Sequence, residues 1–186
     1  MAKLVYGMMV SLDGYVAGPN NDIVGAITEE VHAFANEETR QHGTHLYGRR
    51  MYETMVSWET WDRLSDRPDY ERAFAGIWRD IDKVVFSTTL TDVAGARTRI
   101  ERAVDPDEIR RLKAADKDIA VAGPTLAAHF IKEGLVDEYS LYLTPVIVGG
   151  GTPYLRDVGR RIDLELIEER RFGNGVVFLR YRESAA

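Results

Sequence analysis

The chain has 186 residues, of which 45% are hydrophobic, and its formal net charge is −6. This length suits a single domain with a sizeable core, and the acidic balance argues against general nucleic-acid binding. The absence of cysteine excludes disulfides, thiol nucleophiles and thiolate metal sites. The N-terminal segment lacks the apolar core of a signal peptide, and no stretch reaches the length of a membrane span, so we expect a cytoplasmic protein.

We find no linker and no internal repeat, and therefore expect one domain over residues 1–186. The expected loops are residues 18–25, 57–68 and 91–96. None of them is long enough to divide the chain.

The chain begins with an apolar run over residues 4–12, which predicts a buried central strand. Ser11-Leu12-Asp13-Gly14 ends this run, and the Asp-Gly pair indicates a turn. We expect the Asp13 carboxylate to accept hydrogen bonds from nearby backbone N–H groups.

A helix is predicted to begin after Thr28, which is a candidate N-cap residue. Glu29 and Glu30 suit the positive end of this helix. Val31, Phe34 and Ala35 have the spacing of a buried helical face.

Two further segments have the character of phosphate sites. A short strand ends at Gly48, and the helix that follows opens with Arg49 and Arg50, so backbone N–H groups and guanidinium groups can together bind an anion. Next come a predicted helix over residues 69–79 and a buried strand over residues 82–86. Ser87-Thr88-Thr89 follows, and its hydroxyl groups suit a phosphate. The alternatives are a solvated basic turn and an ordinary strand-end turn.

A possible short strand at 98–103 is followed by a helix that Asp105 would cap. After it, residues 118–155 show the pattern strand, glycine turn, helix, strand. The pattern predicts a βαβ unit in a parallel sheet. Its turn, residues 122–126, places free helix N–H groups beside a strand end, where they can bind a phosphate. Near the C-terminus, Gly173-Asn174-Gly175 between two alternating runs predicts a β-hairpin. Residues 149–153 are expected to form a flexible loop.

Other chemistries are disfavoured. His32, His42, His45 and His129 form no metal motif such as H-E-x-x-H, so no metal site is expected, and we expect His32 and His129 on helix surfaces. Ser11 has neither an adjacent base nor a nucleophile elbow, and no Walker A lysine motif is present.

These segments resemble the dihydrofolate reductase superfamily, and especially its riboflavin-biosynthesis reductase branch. The resemblance implies an α/β fold of the dihydrofolate-reductase-like three-layer type, with a mainly parallel central sheet and a C-terminal antiparallel hairpin. It rests on motifs that occur in the same order along nearly the whole chain. These motifs are Ser11-Leu12-Asp13-Gly14, Gly48-Arg49-Arg50-Met51-Tyr52-Glu53, Ala122-Gly123, Gly134-Leu135-Val136-Asp137-Glu138, Pro145 and Gly149-Gly150-Gly151.

The resemblance also implies NADPH as cofactor, a cis Ala122–Gly123 peptide bond, and a loop at Asp13 that closes over cofactor and substrate. The implied cofactor-binding residues are Gly48, Arg49, Arg50, Met51, Ser87, Thr88, Thr89, Gly123, Pro124, Thr125 and Leu126.

Glu30 lies four residues before Phe34, which is the spacing of the substrate-binding carboxylate in dihydrofolate reductases. The resemblance therefore implies that Glu30 contacts the substrate and that Thr144 supports it. A carboxylate in an apolar pocket has a raised pKa and can assist protonation. The alternatives are that Glu30 only occupies a first helical turn and that Thr144 is an ordinary strand residue.

We therefore expect an NADPH-dependent reductase of a small heterocycle, either 5-amino-6-(5-phosphoribosylamino)uracil-like or pteridine-like. The alternatives are a non-catalytic NADPH-binding or sensor protein and an assembly protein without a nucleotide site. A homodimer is expected from the resemblance, and nucleic acid and membranes are not expected as partners. The Pro-Trp segment of a true dihydrofolate reductase is absent from residues 18–29.

Overall fold

The computed structural model describes residues 1–22, 24–95 and 97–184. Ile23 of the first expected loop and Ala96 of the third lie outside the described residues. The strands are β1 (Leu4–Ser11), β2 (Tyr15–Ala17), β3 (His42–Gly48), β4 (Asp82–Phe86), β5 (Thr98–Glu101), β6 (Asp118–Ala122), β7 (Glu138–Thr144), β8 (Thr152–Pro153), β9 (Leu164–Arg171) and β10 (Val177–Glu183). The α-helices are α1 (Glu29–Arg40), α2 (Arg49–Met55), α3 (Asp69–Asp80), α4 (Pro106–Leu112) and α5 (Pro124–Lys132).

Eight strands form one sheet in the order β5-β4-β3-β6-β1-β7-β10-β9. The six strands from β5 to β7 are mutually parallel, whereas β10 pairs antiparallel with β7 and with β9. The predicted α/β fold, with its mainly parallel sheet and C-terminal hairpin, is confirmed. The βαβ unit of β6, α5 and β7 is also confirmed, with β1 lying between its two strands.

Helices cover both faces of the sheet, which gives three layers. On one face, α5 buries Ala127, Phe130 and Ile131 against Tyr6 and Val121 of the sheet. On the other face, α1 and α3 pack against each other, and Trp78 of α3 lies fully buried over β3. The central strands β1 and β6 are largely apolar, as expected of strands in a sheet that is covered on both faces. No helix in the described ranges has the length and apolarity needed to cross a bilayer.

Local signals explain where the helices begin and end. The Asp105 carboxylate accepts a hydrogen bond from Asp107 N at 2.9 Å, and Pro106 occupies the first turn of α4. After α5, Gly134 adopts a left-handed conformation with φ of 63°, and Leu135 N donates to Phe130 O at 2.9 Å. Glycine favours this conformation, so the helix ends there.

Two buried tyrosines attach the segment after β8 to the central strand. Tyr6 OH donates to Tyr154 O at 2.7 Å, and Tyr154 OH donates to Tyr6 O at 3.1 Å. Their rings stack with centroids 4.4 Å apart. This reciprocal pair satisfies both hydroxyl groups, as burial requires.

Several expectations from the sequence are wrong. All peptide bonds of the described residues are trans, including Ala122–Gly123. His32 is buried rather than on a helix surface, because Trp58, Tyr70 and Phe74 pack around its ring.

Two expected loops also contain regular structure. Residues 57–68 include parts of two short 3-10 helices, Val56–Glu59 and Trp61–Arg63. The segment expected to be a flexible loop contains β8, which pairs with β2.

A chain of polar side chains lies under α3. His45 Nδ1 is 2.6 Å from Tyr47 OH, which also accepts a hydrogen bond from Trp78 Nε1 at 3.3 Å. On the other side, His45 Nε2 is 3.4 Å from His42 Nδ1. Desolvation lowers the pKa of His42 to about 4 and lowers that of His45 well below its ordinary value.

We predict that this histidine pair makes folding sensitive to acid. An unfolded histidine binds a proton near pH 6.5, whereas folded His42 stays neutral down to about pH 4. Between these pH values the unfolded chain binds more protons, so the free energy of unfolding falls as the pH is lowered. Relative to wild type, His42→Gln should reduce this loss by about 1 to 2 kcal/mol at pH 5.

Urea unfolding at pH 7.5, 6.5, 5.5 and 5.0 measures this difference. The matched control is His129→Gln, because His129 is exposed. Equal losses of stability in wild type and His42→Gln would contradict the prediction.

Candidate functional site

A cleft of about 1080 Å³ lies where four adjacent parallel strands end. Gly48 ends β3, Phe86 ends β4, Arg102 follows β5 and Gly123 follows β6, and all four residues line the cleft. Open α/β sheets bind ligands outside the carboxyl ends of their strands. The cleft therefore occupies the position at which this architecture holds a ligand.

The eleven residues that the sequence singled out for a cofactor all line this cleft. They are Gly48, Arg49, Arg50, Met51, Ser87, Thr88, Thr89, Gly123, Pro124, Thr125 and Leu126. Three stretches that are distant in sequence thus meet in one place. That they hold a cofactor stays a prediction.

One end of the cleft is built around the turn of residues 87–90, which we call the 87–90 turn. Within it, Ser87 Oγ accepts hydrogen bonds from Leu90 N at 2.9 Å and from Thr89 N at 3.3 Å. Arg49 NH1 donates to Thr89 Oγ1 at 2.9 Å, and Arg49 Nε donates to Glu53 at 2.7 Å. The first residue of α2 is thereby tied to the end of β4.

Arg102 contacts the same turn from the end of β5. Its NH1 donates to Ser87 O at 2.8 Å and to Leu90 O at 2.6 Å. The sequence analysis missed Arg102 as a site residue. A usable signal existed, because Arg102 directly follows a strand parallel to β4, and such neighbouring strand ends lie side by side.

The other end of the cleft is the start of α5. Gly123 has φ of 101°, a left-handed value that favours glycine. Gly123 N donates to Met8 Sδ at 3.4 Å, and Pro124 has no N–H group, so Thr125 and Leu126 supply the first N–H groups of the helix. Arg156 NH1 donates to Thr125 Oγ1 at 2.9 Å, which adds a positive charge at this end.

The two ends together make the cleft cationic. Its lining contains four arginines, namely Arg49, Arg50, Arg102 and Arg156. Among the described residues that line it, Glu53 carries the single carboxylate. Because Glu53 is paired with Arg49, a positive excess remains. Apolar wall lies between the ends, formed by Met8, Phe86, Val104 and Leu126. This arrangement suits a ligand with anionic groups joined to an aromatic or apolar part.

The short β2–β8 pair forms one side of the cleft through Val16, Ala17 and Thr152. It packs tightly, because a Cβ at Gly151 would overlap the carbonyl oxygen of Ala17. Only glycine fits at that point, which explains why position 151 of the glycine-rich segment is a glycine.

Asp13 holds the start of that segment. Its carboxylate accepts hydrogen bonds from Gly149 N at 2.8 Å and Val148 N at 3.2 Å. Hydrogen bonds, led by one with the Ser11 side chain, keep the pKa of Asp13 below its ordinary value. The expectation that Asp13 accepts bonds from backbone N–H groups is confirmed, whereas its place in a closing loop stays a prediction.

The structure does not bring Glu30 or Thr144 into the cleft lining. Glu30 is about half exposed; its carboxylate accepts a hydrogen bond from Gly173 N at 3.0 Å and lies 3.7 Å from Arg170. Thr144 is fully buried and its hydroxyl donates to Val10 O at 3.1 Å. Both contacts are structural ones, and the predicted catalytic roles remain untested.

Other lining residues had no clear sequence signal. The set also includes Met8, Val16, Ala17, Asn21, Glu53, Thr54, Phe86, Ala103, Val104, His129, Thr152 and Arg156. Most belong to strands or helices, where the exposure of a side chain toward a cleft depends on tertiary packing. Among the residues that the structure describes, no three His, Cys, Asp or Glu side chains come together as metal ligands.

Comparison with known proteins agrees with the architecture. Residues 2–178 match the family model of the RibD C-terminal domain. The uncharacterized protein YyaP of Bacillus subtilis (strain 168) is 31% identical over 181 residues, which cover 96% of this chain and 94% of YyaP.

Two solved structures share the fold at low sequence identity. A candidate riboflavin biosynthesis protein from Shewanella sp. PV-4 superposes with a TM-score of 0.72 at 19% identity, covering 100% of both chains. The diaminohydroxyphosphoribosylaminopyrimidine deaminase/5-amino-6-(5-phosphoribosylamino)uracil reductase of Thermotoga maritima gives a TM-score of 0.68 at 17% identity. That match covers 98% of this chain and 57% of the Thermotoga chain.

We predict that Thr144 and Ser140, two buried hydroxyl residues of β7, differ in their contribution to stability. Thr144→Val removes the donor to Val10 O and should lower the free energy of unfolding by about 1 kcal/mol. Ser140 Oγ has no hydrogen-bond partner among the described residues. Ser140→Ala should therefore stay within about 0.5 kcal/mol of wild type or exceed it.

Urea denaturation of the two variants against wild type provides the comparison. A larger loss for Ser140→Ala than for Thr144→Val would contradict the hydrogen-bond assignment. Retention of ligand binding by Thr144→Val would be consistent with a structural role for this threonine.

Proposed function

The chain belongs to the RibD C-terminal domain family, and from that membership we propose that it is an NADPH-dependent reductase of a small heterocyclic substrate. The observation that carries the proposal is the cleft with two cationic ends and an apolar wall between them. Such a cleft complements a dinucleotide, whose phosphates are anionic and whose flat aromatic rings have apolar faces.

NADPH has two anionic parts, a 2′-phosphate on the adenosine ribose and a central pyrophosphate. Arg49 and the 87–90 turn would hold the 2′-phosphate through guanidinium and hydroxyl donors. The N–H groups of Thr125 and Leu126, together with Arg156, would hold the pyrophosphate. The donor sets therefore fit both parts of this cofactor.

The cofactor supplies the hydride, and the protein supplies position and surroundings. Met8 lies beside the Gly123 turn and lines the cleft there. Val16 and Ala17, on the β2–β8 pair, close one side. These apolar walls would keep water from the transferring hydride.

For the substrate, we propose a ribosylaminopyrimidine like 5-amino-6-(5-phosphoribosylamino)uracil, with a pteridine as the alternative. Family membership supports the first choice, because the Thermotoga neighbour is named as a reductase of that uracil. We propose Glu30 as a residue that acts from outside the cleft, by holding the Gly173 turn in place.

A second candidate is a non-catalytic NADPH-binding protein on the same fold. One observation favours it: Glu30 and Thr144 are both engaged in structural contacts and do not line the cleft. Such a protein would bind NADPH and would not oxidise it.

We predict that wild-type protein binds NADPH saturably and more tightly than NADH. Arg49→Ala should weaken NADPH binding by about 10- to 100-fold, because it removes a charged donor from the phosphate end. Arg110→Ala, an exposed arginine on α4 outside the cleft lining, is the matched control and should bind as wild type does. Isothermal titration calorimetry measures the affinity of wild type for NADPH and for NADH, and the affinity of each variant for NADPH.

Absence of binding to either nucleotide in the wild type would overturn the proposal. A turnover assay then separates the two candidates. Oxidation of NADPH, followed at 340 nm with the ribosylaminopyrimidine or with dihydrofolate, supports the reductase. Tight binding without oxidation by any tested heterocycle supports the non-catalytic protein.

A further inference from the structure

The face of the sheet on which α5 packs is only partly occupied. α5 packs on β3 and β6, whereas β7, β10 and β9 are the last three strands of the sheet. Residues directly opposite each other in paired strands point to the same face, so the register brings apolar side chains of all three strands together. We call this set the leucine face, and it consists of Leu141, Leu143, Leu164, Leu166, Val177 and Leu179.

The leucine face is poorly buried for part of a sheet. Leu164 is 40% exposed and Leu166 is 43% exposed, and the other four residues are partly exposed. Leu143, Val177 and Leu179 belong to none of the core clusters of the described residues. The apolar face of a sheet normally packs against another layer, and here that layer is incomplete.

The opposite face of the same strands is satisfied within one copy of the chain. There Phe178 packs against Val31 of α1. Further along β10, Arg182 pairs with Glu165 of β9 at 2.8 Å. Antiparallel strands commonly place polar side chains toward solvent and apolar side chains toward a core. The pattern of β9 and β10 therefore marks the leucine face as a buried surface.

The edge of the sheet is a less suitable contact than its face. β9 is the last strand in the described sheet, so one of its edges is unpaired there. Five of its eight side chains are charged, and its pairing with β10 is irregular at Arg180 and Tyr181. Charges and bulges on an edge strand oppose pairing with a further strand. The apolar side chains thus favour a partner that packs on the face.

Two charges on the leucine face indicate which partner fits. Glu169 lies opposite Leu179 and Arg171 lies opposite Val177, so both charges point to this face, and both are exposed. The ion pairs of β9 use other residues, and neither charge has a salt-bridge partner within the described ranges. A two-fold axis would bring each Glu169 to Arg171 of the other copy, because an isologous contact is reciprocal. A second copy therefore supplies both opposite charges.

We propose that the leucine face is the interface of a homodimer in which two copies pack their sheets face to face. The two-fold axis runs across the strands, between the levels of the two charges. The register then sets Leu179 against Val177 of the other copy, and Leu141 against Leu143. Sheets packed face to face lie about 10 Å apart and enclose an apolar core between them. The leucine face shares no residue with the cleft lining, so both clefts stay open in the dimer.

Sedimentation velocity over a concentration series of about three decades gives the dissociation constant of the dimer. Wild type should reach twice the chain mass of 21.0 kDa. Leu179→Gln places an amide at the centre of the interface and should raise the dissociation constant about tenfold or more. Leu64→Gln is the matched control, because Leu64 is an exposed leucine outside the leucine face, and it should dimerise as wild type does.

Charge reversal tests the two-fold geometry with changes at exposed positions. Glu169→Arg brings two positive charges together across the axis and should weaken the dimer about tenfold. Glu169→Arg combined with Arg171→Glu exchanges the two charges. This double variant should recover most of the wild-type affinity, because each pair again has opposite signs. Circular dichroism and urea unfolding verify that every variant is folded.

Four results would overturn the proposal. The first is wild type that stays a monomer across the series, and the second is a monomer that sediments with phosphatidylglycerol vesicles through Leu179, which would make a lipid surface the occupant. The third is a dimer that folded Leu179→Gln does not weaken, which would place the interface elsewhere. The fourth is a charge exchange without recovery, which would remove the two-fold pairing. NADPH binding is a separate measurement on a separate surface, so none of these results decides the proposed function.

Discussion

The parallel pairing of β5, β4, β3 and β6 is the constraint on which the rest of the molecule depends. Parallel strands run in one direction, so the segments that follow them all emerge at the same edge of the sheet. Gly48, the 87–90 turn, Arg102 and Gly123 meet for this reason alone. Without the helices that bury both faces, such a sheet would not be stable, and the strand ends that form the cleft would not be held together.

The two ends of the cleft differ in the kind of hydrogen-bond donor that they present. At one end, arginines from α2 and from the end of β5 hold a hydroxyl-rich turn, so side chains contribute donors there. At the other, the donors are backbone N–H groups of a helix start, aided by Arg156. Side-chain donors can discriminate between phosphate and hydroxyl groups, whereas a helix N-terminus binds anions with less selectivity.

The sequence predicted the sheet and eleven of the residues that line the cleft because both depend on local patterns, namely apolar runs and small or hydroxyl residues at strand ends. Arg102 and Arg156 were missed because the destination of a charged side chain depends on which strands become neighbours. The contact of Glu30 with Gly173 N could not be predicted for a related reason, since Gly173 comes from a hairpin far along the chain. His32 was expected at the surface because its burial depends on Trp58, in a segment expected to be a loop.

The glycine-rich segment before Arg156 is attached at both sides. Asp13 holds Gly149 N, and the stacked pair of Tyr6 and Tyr154 attaches the far side to the central strand. A segment held in this way has little chain entropy left to lose when a ligand binds. The amides of Val148 and Gly149, which Asp13 accepts from, should consequently exchange with deuterium more slowly than exposed amides without a hydrogen bond, and part of the ordering that other glycine loops undergo on binding is here completed during folding.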